Sequence, residues 1–398
     1  MKKKILFVMH SLHCGGAEKS LISLLESINY THYEVDLLLF KKEGIFLSKV
    51  PEEVNLLDEP VNYKLFDMPI KKAVFHCLKE GKLTTAINRV QAGYIFKYEA
   101  NRAKCDQKVW KYVSKSIKGL ETYYDMAVGY LEKAPIYFIN EKVTAKKKIG
   151  WVHTNYSNSG MDSTIDYPHY ESLDYIVTVS GLCKESLIEN FKKLSEKITV
   201  IHNILSPSII NKMSLIKNVE TEMDDEAIKI VTVARLCHVK GIDIAIRACR
   251  LLIENGYNIE WYVLGTGSKD EIEEYEKLIQ KENLQKSFIL LGVKDNPYPY
   301  IRKTDIYVQP SRYEGKSIAI EEAKILNKPV IITNFSTSKD QIEDEYNGLI
   351  VEIDPHSVFH GIVRMIEEDH FRDRLITNVQ SEQLGNEHEI KKFYALFN

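Results

Sequence analysis

Short apolar runs rich in Val, Ile, Leu and Tyr recur along the chain, separated by stretches of helical character. In the first half they are Ile5–Met9, Val35–Phe40, Met126–Tyr130, Lys148–Val152, Tyr175–Val179 and Ile198–Ile201. In the second half they are Ile228–Val233, Ile259–Leu264, Phe288–Gly292, Asp305–Gln309, Pro329–Thr333 and Gly348–Val351. Their apolar character is continuous rather than alternating, which indicates strands covered on both faces. Strand and helix alternate in two blocks, so the pattern predicts two α/β, Rossmann-like domains built on parallel sheets. The expected boundary falls near 206–227, where Ser206-Pro207-Ser208 follows a strand and Glu220–Glu226 is acidic and weakly periodic. The domains are then 1–205 and 206–384, with 385–398 as a C-terminal helix packing back on the first domain. Residues 60–120 break the pattern: helical, aromatic and basic, they read as an insertion in the first domain.

Composition narrows this little. With 398 residues and 44% hydrophobic positions the chain can build ordinary globular cores, and its net charge of −3 argues against a general polyanion binder. The six cysteines form no CxxC pair and no zinc spacing, which suits a reducing compartment. The N-terminal run Ile5–Met9 is too short for a signal peptide, and no apolar run approaches the ~18 residues of a membrane span. A cytoplasmic protein is expected, at most attached to a membrane surface.

Candidate chemistry gathers at strand ends. His10-Ser-Leu-His-Cys-Gly-Gly-Ala follows the first run and opens a helix expected from Ala17. Gly15 and Gly16 let the backbone approach a ligand, and the helix N-terminus favours an anion such as a diphosphate. In the second domain Val233-Ala-Arg-Leu-Cys-His-Val-Lys-Gly places Arg235 and Lys240 across one loop, where two cations can converge on one anion. His238 between them reads as an exposed bystander, and Gly265-Thr-Gly-Ser gives a second permissive turn at the same edge.

The most specific segment is Ser311-Arg-Tyr-Glu-Gly-Lys-Ser-Ile-Ala-Ile-Glu-Glu-Ala. Glu314 lies in a loop and a helix is expected from about Lys316 to Leu326. At about 100° per residue Glu322 falls within the apolar arc of Ala319, Ala323 and Leu326, while Glu321 falls on the opposite side with Lys324. A carboxylate on the buried side needs donors, which sugar or ribose hydroxyls can supply. Free N–H groups of Lys316, Ser317 and Ile318 at the helix start again favour a phosphate. Two such helix ends, one per domain, facing one cleft can hold a nucleoside diphosphate.

These pieces, in this order, resemble the retaining glycosyltransferases of family 4: Gly15-Gly16-Ala17-Glu18, Ala234-Arg235-Leu236 with Lys240-Gly241, Gly265-Thr-Gly, Leu291-Gly292, and Ser311-Arg-Tyr-Glu314-Gly with Glu322-Ala323. The resemblance implies the B-type glycosyltransferase fold, two Rossmann-like domains facing each other across a cleft. It implies that Arg235 and Lys240 hold the diphosphate of a nucleotide-sugar donor, a UDP-sugar by expectation. Glu322 would then bind the ribose, Glu314 the donor sugar near its reacting carbon, and the backbone at Gly16, Ser317 and Ile318 would complete the diphosphate site. His153, in Gly150-Trp-Val-His-Thr, matches the family's active-site histidine. Lys316, Ser268 and His202-Asn-Ile-Leu depart from the family's usual residues, which leaves the sugar unspecified. Bacterial members often build surface polysaccharides on lipid-linked glycans, the expected role here. An epimerase of the same fold and a donor-binding subunit without catalysis are the alternatives. No cofactor and no metal is expected, since the chain has no Asp-x-Asp pair and no cluster with ligand spacing.

Between Asn62 and Lys118 thirteen Lys/Arg face four acids, a local charge of +9, with Phe66, Phe75, Tyr94, Phe96, Tyr98, Trp110 and Tyr112 interleaved. No nucleic-acid motif accompanies this charge. The expectation is a face for an anionic membrane, with Lys104, Lys108, Lys111 and Lys115 contributing.

Overall fold

The computed structural model describes residues 2–13, 15–215, 223, 226–294 and 296–397. Cys14 of the glycine loop and most of the acidic stretch 220–225 lie outside them. The chain divides into two compact units, Met1–Ile204 with Glu387–Asn398, and Leu205–Asn386.

The first unit holds a seven-stranded sheet of β1 (Lys3–Met9), β2 (Tyr33–Leu39), β3 (Val54–Leu56), β4 (Tyr123–Gly129), β5 (Thr144–Val152), β6 (Tyr175–Thr178) and β7 (Ile198–Val200). Their spatial order is β3-β2-β1-β4-β5-β6-β7, and every pairing is parallel. Both faces are covered, as the continuous apolar runs require. Leu6 and Val8 of β1 enter one core while Ile5, Phe7 and Met9 enter the other, the period-two alternation of a buried strand.

The second unit holds β8 (Ile228–Val233), β9 (Ile259–Leu264), β10 (Phe288–Gly292), β11 (Ile306–Gln309), β12 (Val330–Thr333) and β13 (Leu349–Val351), in the order β10-β9-β8-β11-β12-β13, again wholly parallel. Both sheets reverse their winding direction once, between β1 and β4 and between β8 and β11. At such a switch point the loops leaving the carboxyl ends of adjacent strands diverge to opposite faces and open a crevice, the usual ligand position in open α/β sheets.

All twelve expected runs form strands; the structure adds β3, three residues long, and extends β5 back through the lysine-rich Thr144–Lys148. That half of β5 pairs with β4 but overhangs β6, which starts pairing at Ile149, so its lysines reach solvent. The insertion contributes three helices, Ile70–Lys79, Leu83–Tyr98 and Arg102–Ser114, between β3 and β4. Residues 390–395 form a short helix on the first unit, where Phe393 is buried and stacks on Phe7 with centroids 5.8 Å apart.

Candidate functional site

In the second unit the loops after β8 and β11 meet at the switch point. Gly241 makes the approach possible: its φ is +66°, and a Cβ there would collide with the carbonyl oxygen of Pro310. Arg312 ties the two loops together. Its guanidinium donates to both carboxylate oxygens of Asp243 at 2.7 Å and to the carbonyl of His238 at 2.8 Å. Burial works to raise the Asp243 pKa, but the guanidinium outweighs it and holds the carboxyl below its ordinary value.

The clamp brings Lys240 onto Glu314. Lys240 Nζ donates to Glu314 Oε2 at 2.5 Å, while Glu314 Oε1 accepts from Ser311 Oγ at 2.7 Å and Gln309 Nε2 at 3.2 Å. Glu314 is therefore no exposed loop acid: only 6% of it is accessible. Lys240, expected as an open phosphate cation, is instead the counter-ion of Glu314 here. Arg235 is exposed, as is His238, and the Arg235 charge reaches Glu271 at the start of the helix Lys269–Lys281. Ser268 caps that helix in a reciprocal box with Glu271. Gly265, at φ +145°, closes β9 against the Ala234 carbonyl, where a Cβ would clash.

The helix after Glu314 spans Ile318–Ile325, shorter than expected, with Ser317 at its N-cap. One expectation fails here. The Ser317 N–H is not free: it donates to Gln341 Oε1 at 2.8 Å, and Gln341 Nε2 returns a bond to the Ser317 carbonyl at 2.7 Å. Thr337 Oγ1 also donates to the Glu314 carbonyl at 3.1 Å, so the segment 337–341 braces this loop from the outside. Lys316 is half-buried, and the helix itself begins at Ile318 with no side-chain cap from Ser317.

Glu322 is buried, as the helical wheel requires, and Tyr298 Oη donates to its Oε1 at 3.1 Å. A protein group thus meets part of the demand assigned to ribose hydroxyls. Lys324 departs from expectation: it is buried, pairs with Glu382 at 2.9 Å and donates to the Gln341 carbonyl at 3.3 Å. The wheel placed it opposite the apolar arc, but the loop at 341 and residue 382 cover that side too.

In the first unit the carboxyl ends of β1, β4 and β5 carry the candidate residues. The helix begins at Gly16 with Gly15 as N-cap, and the Glu18 side chain folds back over Gly15, filling the space a Cβ would need. Burial, with a smaller contribution from the Glu132 charge, raises the Glu18 carboxyl above its ordinary value. A carboxylate therefore already sits where the sequence led one to expect a diphosphate. His153 follows β5. Burial pushes its imidazole down to about 3, against a smaller opposing effect of its bond to the Tyr130 backbone, so the ring is neutral at any working pH. His153 Nε2 is buried and has no partner among the described residues.

Sequence reading missed Glu132, which is 5% accessible. Its Oε1 accepts from the backbone N–H of His153 at 2.6 Å and of Thr154 at 2.9 Å, and from Thr154 Oγ1 at 3.1 Å. Only the pairing of β4 with β5 brings these residues together, so no local pattern announces it. Asp243, Arg312 and Gln341 were also missed as supports of the second-unit site, although Arg312 stands within a quoted motif and Asp243 two residues past another.

Comparison with known proteins shows what the chain is similar to. Residues 216–382 match the family model of glycosyl transferases group 1, across nearly all of the second unit. Both units have the Rossmann-like form of the B-type glycosyltransferase fold. An Anabaena HepE structure in complex with UDP-glucose superposes with a TM-score of 0.68 over 98% of both chains at 16% identity. A mutant of Staphylococcus aureus TarM, solved in complex with Fondaparinux, alpha-GlcNAc-glycerol and UDP, gives 0.66 over the whole of both chains at 14% identity.

Among sequence relatives, the Campylobacter jejuni N-acetylgalactosamine-N,N'-diacetylbacillosaminyl-diphospho-undecaprenol 4-alpha-N-acetylgalactosaminyltransferase is 26% identical over 94% of this chain and 92% of its own. The poly(ribitol-phosphate) alpha-N-acetylglucosaminyltransferase of Staphylococcus aureus is 24% identical over 62% of this chain and 52% of its own. These similarities support a glycosyltransferase of B-type fold.

Proposed function

We propose that the protein is a retaining glycosyltransferase that moves a sugar from a nucleoside diphosphate, a UDP-sugar, to a lipid-linked glycan during surface polysaccharide synthesis. The observation that carries the reading is the Lys240–Glu314 pair beside the exposed Arg235 and the start of the helix Ile318–Ile325. Bond cleavage puts negative charge on the leaving diphosphate and positive charge on the sugar carbon. Fixed cations and helix N–H groups stabilise the first, and a carboxylate stabilises the second. In this reading Lys240 exchanges Glu314 for phosphate when donor binds, and Glu314 turns to the sugar. His153 offers an uncharged ring nitrogen. The names of the relatives, two of them alpha-transferases and one acting on a diphospho-undecaprenol glycan, support the substrate class and the retained anomer.

Incubation with UDP-glucose, UDP-galactose and their N-acetyl forms, together with a bacterial lipid extract, tests it. One donor should be consumed with transfer to lipid, the product linkage should be α by its NMR coupling, and EDTA should leave the rate unchanged. A β product would remove the retaining mechanism. Loss of activity in EDTA with recovery in magnesium would remove the metal-independent clamp, and no transfer from any UDP-sugar would remove the reading itself.

A lipid-linked acceptor implies work at a membrane, and the insertion supplies a suitable face. Leu83, Ile87, Val90, Tyr94 and Tyr98 form one exposed stripe on the helix Leu83–Tyr98. Phe75 and Leu78, exposed at 71% and 54%, stand on the helix Ile70–Lys79 with the exposed Lys71, Lys72 and Lys79. Of the lysines expected to contribute, Lys108 pairs with Glu99 and Lys104 with Asp162, while Lys111 and Lys115 are exposed. Arg89 is buried on the carbonyls of Leu65 and Met68. No helix among the described residues is long and apolar enough to cross a membrane. Docking on an anionic leaflet uses the first two insertion helices, which carry the exposed apolar side chains. Changing Lys71, Lys72 and Lys79 to Glu should weaken sedimentation with phosphatidylglycerol vesicles about 10²-fold, since each basic residue contributes about 1 kcal/mol. Unchanged sedimentation of that variant, or no binding by the unaltered chain at low salt, would remove this face from the membrane.

A further inference from the structure

We infer that Gln341 is a positioning residue for the donor: it holds the loop 314–317 in the form that receives a nucleoside diphosphate. The inference rests on the proposed donor site at Lys240 and Glu314.

The loop 314–317 does not hold itself. Among the described residues its backbone makes three hydrogen bonds, and all three go to side chains of the segment after β12. At one end Thr337 Oγ1 donates to the Glu314 carbonyl. At the other, Gln341 Oε1 accepts from the Ser317 N–H and Gln341 Nε2 donates to the Ser317 carbonyl, at 2.8 and 2.7 Å. A two-way bond of this kind admits one orientation of the amide. Glu321 Oε1, which accepts from the same Nε2 at 3.3 Å, agrees with it.

The bracing segment has supports of its own. Thr337, Ser338 and Gln341 are buried, and the Gln341 N–H donates to the Ser338 carbonyl across the short turn Ser338–Asp340. Behind it the buried Lys324 ammonium donates to the Gln341 carbonyl and pairs with Glu382, which also accepts from Asn347 Nδ2 at 2.6 Å.

The loop carries Glu314, the partner of Lys240, and leads into the helix Ile318–Ile325. Without Gln341 its backbone keeps a single bond, at Glu314, and its far end is free to leave the donor-binding form. A donor then binds only the fraction of molecules in that form, and its apparent affinity falls by that fraction. Once bound, the donor restores the form, so the chemistry proceeds as before. Positioning therefore raises KM and keeps kcat. A residue that only supports the fold would lower stability and leave both unchanged.

The test uses the full chain. Calorimetry with UDP, GDP and ADP identifies the nucleotide that binds. Its affinity should fall about tenfold in Gln341→Leu, the size of one to two net hydrogen bonds. Donor KM should rise by a similar factor, with kcat within about twofold. Gln341→Glu adds a pH signature. At about pH 8 the introduced carboxylate accepts from the Ser317 N–H but cannot donate to the Ser317 carbonyl, and it faces Glu321. Burial and the Glu321 charge raise its pKa, and its protonated form donates as the amide does. Lowering the pH to about 5.5 should therefore recover about tenfold in nucleotide affinity, measured against the unaltered chain at each pH. Unchanged affinity and KM in Gln341→Leu would overturn the proposal, whether or not its urea midpoint falls. So would a flat affinity ratio in Gln341→Glu, which decides alone if Gln341→Leu does not fold. Nucleotide binding that responds as expected in a chain that transfers no sugar removes the transferase reading and keeps Gln341. Sugar transfer that ignores both variants does the reverse, and no binding of any of the three nucleotides by the unaltered chain overturns both.

Discussion

Lys240→Ala is expected to lower kcat/KM for sugar transfer about 10²-fold, roughly 3 kcal/mol of barrier, and to destabilise the second unit as well. The first effect follows from losing a fixed cation at the leaving diphosphate. The second follows from Glu314, which stays 6% accessible with its counter-ion gone. Breaking a fully buried pair is strongly destabilising, but the Lys240 side chain is 25% exposed, so about 1–2 kcal/mol is expected. Arg235→Ala should show the loss of activity without the loss of stability, because that side chain is exposed. The double variant Lys240→Ala/Glu314→Ala should recover most of the stability in urea denaturation and none of the turnover. Normal turnover in Lys240→Ala and Arg235→Ala would remove both residues from the chemistry. A double variant no more stable than Lys240→Ala would mean that the pair does not hold the loop.

The parallel architecture was readable because burial on both faces leaves continuous apolar runs, and each run falls on a strand. The three-residue β3 carries too few positions for a pattern, and the lysines of β5 look like loop because their side chains overhang β6. Glu322 was legible as a buried acid because helical periodicity is local. Its neighbour Lys324 was misplaced because a wheel knows one packing partner, while Glu382 and the Gln341 carbonyl close a second side. The same limit hid Glu132 and Gln341. Each acts on a backbone segment far along the chain, 21 residues away for Glu132 and 24 for Gln341, through a contact that exists only once the strands are ordered. A glycine pair before a helix reads as a phosphate site from sequence, and only the folded-back Glu18 side chain shows that its ligand must tolerate a carboxylate.

Glu314→Gln separates the donor's two halves more sharply than any other single change. The introduced amide would keep an acceptor oxygen for Ser311 and Gln309, so the loop should hold its form. Its other end, facing Lys240, no longer neutralises the ammonium. Free UDP then meets an unpaired cation, without first displacing a carboxylate from it. If the partly exposed pair contributes about 1 kcal/mol, UDP should bind roughly fivefold tighter. Turnover should move the other way, falling about 10²- to 10³-fold, because no carboxylate remains to face the positive charge that develops on the sugar carbon. Tighter nucleotide with slower chemistry is a combination that simple unfolding cannot produce. Calorimetry with UDP and steady-state rates with the active UDP-sugar measure both. If Glu314→Gln loses UDP binding instead, Glu314 orders the phosphate site rather than serving the sugar, and Lys240 needs it as a permanent partner. If turnover is unchanged, the carboxylate is a structural anchor for Lys240 and the charge on the sugar carbon is met elsewhere.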